Sequence, residues 1–181
     1  MQDTIRMGVR KQTKYLTVSA MLCALGVILL SLGSLIEVLD VTAAVLASLL
    51  CVYAVIEMGG AYPWLIWLVT ASLSLLLLPQ KTPALFYALL AGFYPILKEK
   101  IEKLSRPIAW LLKLAVLHLS LGAIALGLWV FFPASLDMGG TRWILLALYL
   151  AAVACFVLYD IALSRVITFY LFKLRNRFQI K

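Results

Sequence analysis

Charge is scarce in this chain: only 13% of its 181 residues are Asp, Glu, Lys or Arg, and it holds a single histidine and three cysteines. Soluble domains carry about 25% charged residues, so a water-facing surface cannot be built from what is present. Cys23, Cys51 and Cys155 lie in apolar runs with no Cys-x-x-Cys and no histidine pair nearby. They read as small packing residues, and neither a disulfide framework nor a metal site is expected. Also missing are GxxxxGK[ST], GxSxG, HExxH and GxGxxG. These absences remove the usual signatures of ATP hydrolysis, serine hydrolysis, zinc proteolysis and dinucleotide binding. The chain therefore reads as a non-enzyme that needs no cofactor, and any energy for work comes from a partner.

What remains is hydrocarbon. Hydrophobic residues make up 65% of the chain and mean hydropathy is +1.04, which places it in a bilayer as an integral membrane protein. At about 20 residues per spanning helix, the length accommodates roughly six crossings and no separate soluble domain. Apolar runs fall at 15–36, 41–58, 62–78, 83–97, 108–132 and 143–172. None alternates with a period of two, so they predict helices rather than barrel strands. The expectation is one all-α, polytopic domain, 1–181, with six transmembrane helices. The first run is too long for a signal-peptide core and is expected to be retained. The fourth is short and contains Pro95, so a re-entrant path is its competing reading. No internal repeat stands out, which argues against a carrier built from inverted halves.

The net charge of +8 would prompt a nucleic-acid reading in a soluble protein, but its distribution argues otherwise. Arg6, Arg10, Lys11 and Lys14 precede the first run, Lys98, Lys100, Lys103 and Arg106 occupy one internal loop, and Lys173, Arg175, Arg177 and Lys181 close the chain. With six crossings and both termini inside, all three clusters face the cytoplasm. The outer loops, with Glu37, Asp40, Lys81, Asp137 and Arg142, are then acidic on balance, as the positive-inside rule requires. A re-entrant fourth run would strand Lys98–Arg106 outside. The expected partner is the lipid bilayer, not nucleic acid. Tyr15, Tyr62, Trp64, Trp110 and Tyr170 fall near the proposed inner boundary, and Trp129 and Trp143 near the outer one, where aromatic belts form.

Several residues are candidates for more than packing. His118, Glu57, Lys113, Asp160 and Arg165 sit inside or at the edges of the runs, where an unpaired charge is costly. Acid–base pairs that stitch the second, fifth and sixth helices together are the expected outcome, with a proton relay as the competing reading. Small residues recur at helical spacing at Ala20/Ala24, Ala43/Ala47/Cys51, Ala84/Ala88/Gly92 and Ala147/Ala151/Cys155. Each stripe lets another helix approach closely, either within the monomer or from a partner. On the outer side, Glu37, Asp40, Gln80, Lys81 and Asp137, with the aromatic residues Tyr87, Trp143 and Tyr149, supply what a small-molecule pocket needs. A solvated loop and an interfacial belt would use the same residue types.

Six spans in a chain of this length, the basic lead followed by KYLTVSAMLCALGVILL, and the absent ATPase motif together resemble the substrate-binding S component of an energy-coupling factor (ECF) transporter. In that family an AxxxA motif of the first helix docks on a transmembrane coupling subunit, and Ala20 and Ala24 match it in type, spacing and place. The resemblance implies an S-component-like bundle in the bacterial cytoplasmic membrane that captures a vitamin-like or other small nutrient from outside. It also implies assembly with a coupling subunit and two cytoplasmic ATPases. An alternative resemblance, in size and helix number, is to the MreD-type rod-shape proteins, which would make the chain a non-catalytic scaffold. A membrane enzyme using Asp160, Arg165, Glu57 or His118 lacks any active-site spacing.

Overall fold

The computed structural model describes residues 2–131 and 142–174. Every regular element among them is helical: α1 Gln2–Leu35, α2 Asp40–Glu57, α3 Tyr62–Leu77, α4 Thr82–Phe86, α5 Tyr94–Ile101, α6 Arg106–Phe131 and α7 Arg142–Phe169. A 3-10 turn, Glu37–Leu39, joins α1 to α2, and π-helical turns occupy Tyr87–Ala91 and Tyr170–Leu174. The all-helical expectation holds. Gln12–Leu35, Asp40–Glu57, Arg106–Ala123 and Leu146–Lys173 are long and apolar enough to cross a membrane, while Tyr62–Leu77 is apolar but shorter. Packing groups the residues into two compact units, 1–106 and 107–181.

In the first unit, α1 packs mainly on α2 and α3, and α2 lies beside α4, the π turn and α5. Missing side chains make these contacts close. A Cβ on Gly33 would stand 2.6 Å from the Ala43 Cβ, and one on Gly26 would stand 2.8 Å from the Thr70 methyl. The interior face of α2 is correspondingly small: Ala43, Ala44, Ala47, Ser48, Cys51 and Ala54 are all buried. Tyr87, fully buried, packs in the core with these residues, its hydroxyl 3.1 Å from Cys51 Sγ.

Local chemistry sets the turns. The link from α2 to α3 is tight because Gly59 and Gly60 both take positive φ, 60° and 61°, a region that side chains disfavour. The Gly59 N–H closes the end of α2 by donating to the Ala54 carbonyl, and Pro63 sits in the first turn of α3, where its missing N–H costs nothing. α3 stops as Leu78 turns extended before Pro79.

The expected single helix over 83–97 is broken. A continuous helix would drive the Pro95 ring into the Ala91 carbonyl; instead a π turn spans Tyr87–Ala91 and α5 restarts at Tyr94 with Pro95 in its first turn. Gly92 donates to the Tyr87 carbonyl rather than to that of Ala88, and Trp67 Nε1 donates to the Ala88 oxygen at 3.1 Å. A shift in one helix is thus matched by a side chain from another, as buried backbone groups require.

Despite the break, this segment runs the full height of the first unit. Pro83 lies beside the site of Gly33 and Ala43, whereas Lys100 Nζ stands 5.9 Å over the Trp64 ring at the start of α3. Tyr15 and Tyr62 pack edge to face at 5.4 Å at that same end. The second unit contributes α6 and α7, joined by side-chain contacts described below.

Gly92 is the sharpest test of this packing, because an added Cβ would meet Trp67 Cδ1 at 2.6 Å and the Tyr87 carbonyl at 2.8 Å. Gly92→Ala is expected to destabilise the purified protein by about 1–3 kcal/mol, read as a lowered thermal midpoint in detergent. Gly122→Ala, whose Cβ meets nothing within 4 Å, should not lower it.

Candidate functional site

The four small-residue stripes meet different fates. Ala43, Ala47 and Cys51 are buried, as are Ala84, Ala88 and Gly92, so those stripes pack inside the first unit. Ala147, Ala151 and Cys155 stay exposed on α7, and Ala20 and Ala24 stay exposed on α1. The helical period explains the split on α1. Cys23, Gly26, Leu30 and Gly33 recur on the face turned towards α2 and α3 and are buried, which leaves Ala20 and Ala24 on the neighbouring flank.

That flank is a groove. Between α1 and α3 lies an open cavity of about 440 Å³. Leu16, Ala20, Cys23 and Ala24 form its α1 side, and Tyr62, Ile66 and Val69 belong to its α3 side. Its surface is almost wholly apolar, because the polar atoms that approach it are already engaged: Ser19 Oγ donates to the Tyr15 carbonyl at 2.8 Å, and the Cys23 thiol faces the Ile66 carbonyl at 3.8 Å. Ala20 and Ala24 were legible as a small-residue pair, but the α3 wall was not, since Tyr62 reads in sequence only as an interfacial aromatic. The groove is lined by no charged side chain, and its Ser19 hydroxyl and Cys23 thiol are turned to backbone carbonyls; what it can do is receive an apolar rod or chain.

At the opposite end of the first unit, the expected outer polar residues gather. The Gln80 N–H donates to Ser34 Oγ at 3.1 Å, which ties the α3–α4 link to the end of α1. Glu37 lies in the 3-10 turn that follows α1 and Asp40 opens α2, where an acidic side chain suits the helix N-terminus. Lys81 Nζ folds back on the Leu78 carbonyl at 2.6 Å. Tyr87 is not with them: it is 1% exposed, and its hydroxyl lies 3.1 Å from Cys51 Sγ inside the core. The π turn sets that position, and no period in the sequence announces it. Asp137 falls outside the described residues.

In the second unit, Trp143 is exposed on α7, and the hydroxyl of Tyr149 lies 2.8 Å from His118 Nε2. His118 Nδ1 lies 2.7 Å from the Leu114 carbonyl. One tautomer satisfies both contacts: Nδ1–H donates to the carbonyl and Nε2 accepts from the phenol. His118 is thus the partner of Tyr149, a link the sequence hides because the two residues are 31 positions apart. Further along the same helix pair, Lys113 Nζ donates to Asp160 Oδ2 at 2.8 Å, with both side chains buried. The lysine also sits 5.6 Å over the Trp110 ring. This is the expected acid–base stitch between the fifth and sixth runs. Among the described residues, no group of three or more His, Cys, Asp or Glu side chains stands together as a metal site.

Breaking the stitch from one side leaves a buried charge without its counter-ion. Lys113→Ala is expected to cost about 3–5 kcal/mol, while the double variant Lys113→Met/Asp160→Leu should recover most of the loss, as measured by denaturation in detergent. Comparison with family models, curated proteins and solved structures found no match to the chain.

Proposed function

We propose that this chain is the substrate-binding membrane subunit of an ECF-type importer, which captures a small nutrient from outside and docks on a transmembrane coupling subunit. The observation that carries the reading is the groove over Ala20 and Ala24. A helix of another chain can approach the α1 backbone there more closely than over any neighbouring leucine, since each alanine ends at its Cβ. Association between helices in a bilayer depends on such packing rather than on a hydrophobic driving force. Met21 and Leu25, the residues that follow the two alanines, are exposed.

Six crossings with both termini in the cytoplasm accord with the path of α4 and α5. That segment runs from the Gly33/Ala43 end of the first unit to the Trp64 end, so Lys98, Lys100, Lys103 and Arg106 come to the same end as Lys14 and Tyr15. Two of the three basic clusters then share one face, as a cytoplasmic surface demands. The bacterial cytoplasmic membrane is the corresponding location. Asp40, Gln80 and Lys81, gathered at the other end, are the polar groups that would meet a nutrient arriving from outside. Reorientation would be driven by two ATPases carried by the partner assembly, because the chain has no phosphate-binding motif of its own.

Replacing both alanines fills the groove. Ala20→Leu/Ala24→Leu, co-expressed with a coupling subunit, is expected to lower co-purification at least tenfold while the thermal midpoint stays near that of the unaltered protein. Full co-purification of a folded double variant would overturn the reading.

A further inference from the structure

Thr17, Ser19, Ser31, Ser48 and Ser164 each donate their hydroxyl to a backbone carbonyl three or four residues earlier in the same helix, a local bond that satisfies such a group where water is scarce. Thr70 and Ser74 do not. Both lie on the buried face of α3, 1% and 0% exposed, and neither Thr70 Oγ1 nor Ser74 Oγ has a hydrogen-bond partner among the described residues. The carbonyl one turn before Thr70, that of Ile66, already faces the Cys23 thiol at 3.8 Å. The phenol of Tyr87, close to Thr70 as well, is engaged with Cys51 Sγ at 3.1 Å. An idle hydroxyl inside a bilayer is costly, because no bulk water reaches it. Two of them, one turn apart on one face, point to a shared partner.

We propose that one water molecule is bound inside the first unit between Thr70 and Ser74, as an integral part of the fold. Residues four apart on a helix stand about 5–6 Å apart at Cβ, roughly twice a hydrogen-bond length of about 2.8 Å, so a single water spans the two oxygens. Water brings two donors and two acceptors, and each hydroxyl brings one donor and two lone pairs. The bridge therefore closes whichever side gives the proton. The helix faces that pack here are slim. α1 presents Gly26 to Thr70, Ala71 is the neighbouring buried residue of α3, and the interior face of α2 carries Ala44, Ala47 and Ser48. Neither hydroxyl belongs to the lining of the α1–α3 groove, so the site stands apart from the importer reading and goes beyond it.

Thr70→Val and Ser74→Ala each remove one hydroxyl with little change of shape. Each is expected to lower the thermal midpoint of the full-length protein in detergent by about 2–4 °C, because each leaves the other hydroxyl without its bridge. The double variant should lose no more than either single one. Unchanged or raised midpoints would overturn the proposal, since they mark idle hydroxyls; losses that simply add would do the same, since they mark two separate bonds. A second measurement reads the water itself. In micelles of deuterated detergent, magnetisation transfer from water to the Thr70 methyl is expected in the unaltered protein and is expected to vanish in Ser74→Ala, which keeps the Thr70 hydroxyl. Transfer that persists in Ser74→Ala, or that is absent from the unaltered protein, would sink the bound water.

Discussion

Where α1 crosses α2, a methyl group added to Gly33 would lie 2.6 Å from the Cβ of Ala43, and where α1 crosses α3, one added to Gly26 would lie 2.8 Å from Thr70. No ordinary contact is that short, so the spacing of the first three helices depends on side chains that are absent. Between helices in a bilayer, water adds no hydrophobic drive, and contact area gained by close approach must do the work. The buried alanines of α2 extend the same logic, and the Tyr87 hydroxyl reaches Cys51 Sγ on that slim face.

Close packing of this kind leaves little tolerance for stray polar groups, and the broken segment between Thr82 and Ile101 shows how that demand is met. Pro95 ends one helical path, Gly92 bonds to a carbonyl one residue further back than an α-helix would use, and Trp67 takes the oxygen thereby passed over. Gly92 is indispensable to this arrangement, because the Trp67 ring and the Tyr87 ring both lie where its side chain would be. A defect in one helix and an aromatic residue from another thus form a single feature.

The second unit uses charge and hydrogen bonding rather than small residues. Lys113–Asp160 and His118–Tyr149 join α6 to α7 at two levels. The first link is buried and the second exposed. A buried ion pair contributes less to net stability than to choosing one register of two helices over another, since slipping either helix separates the charges. The exposed stripe at Ala147, Ala151 and Cys155 lies on α7, apart from the buried Asp160 and Leu163.

Composition and the length of the apolar runs were enough to establish that the chain is helical and to place the turns on either side of α3, because hydropathy, Pro79, Pro83 and the Gly59–Gly60 pair act locally, but not the break inside 83–97. The equivalence of the four small-residue stripes was as far as a linear reading reached. Which stripe is consumed inside the molecule depends on the rotation of each helix about its axis, and that is decided by its neighbours. Tertiary structure turned Ala43 and Ala88 inward, left Ala20 and Ala24 open over a groove walled by α3, drew Tyr87 from a surface candidate into the core, and matched His118 to Tyr149. Each outcome required contacts between residues far apart in the chain, and sequence periodicity carries no record of those distances.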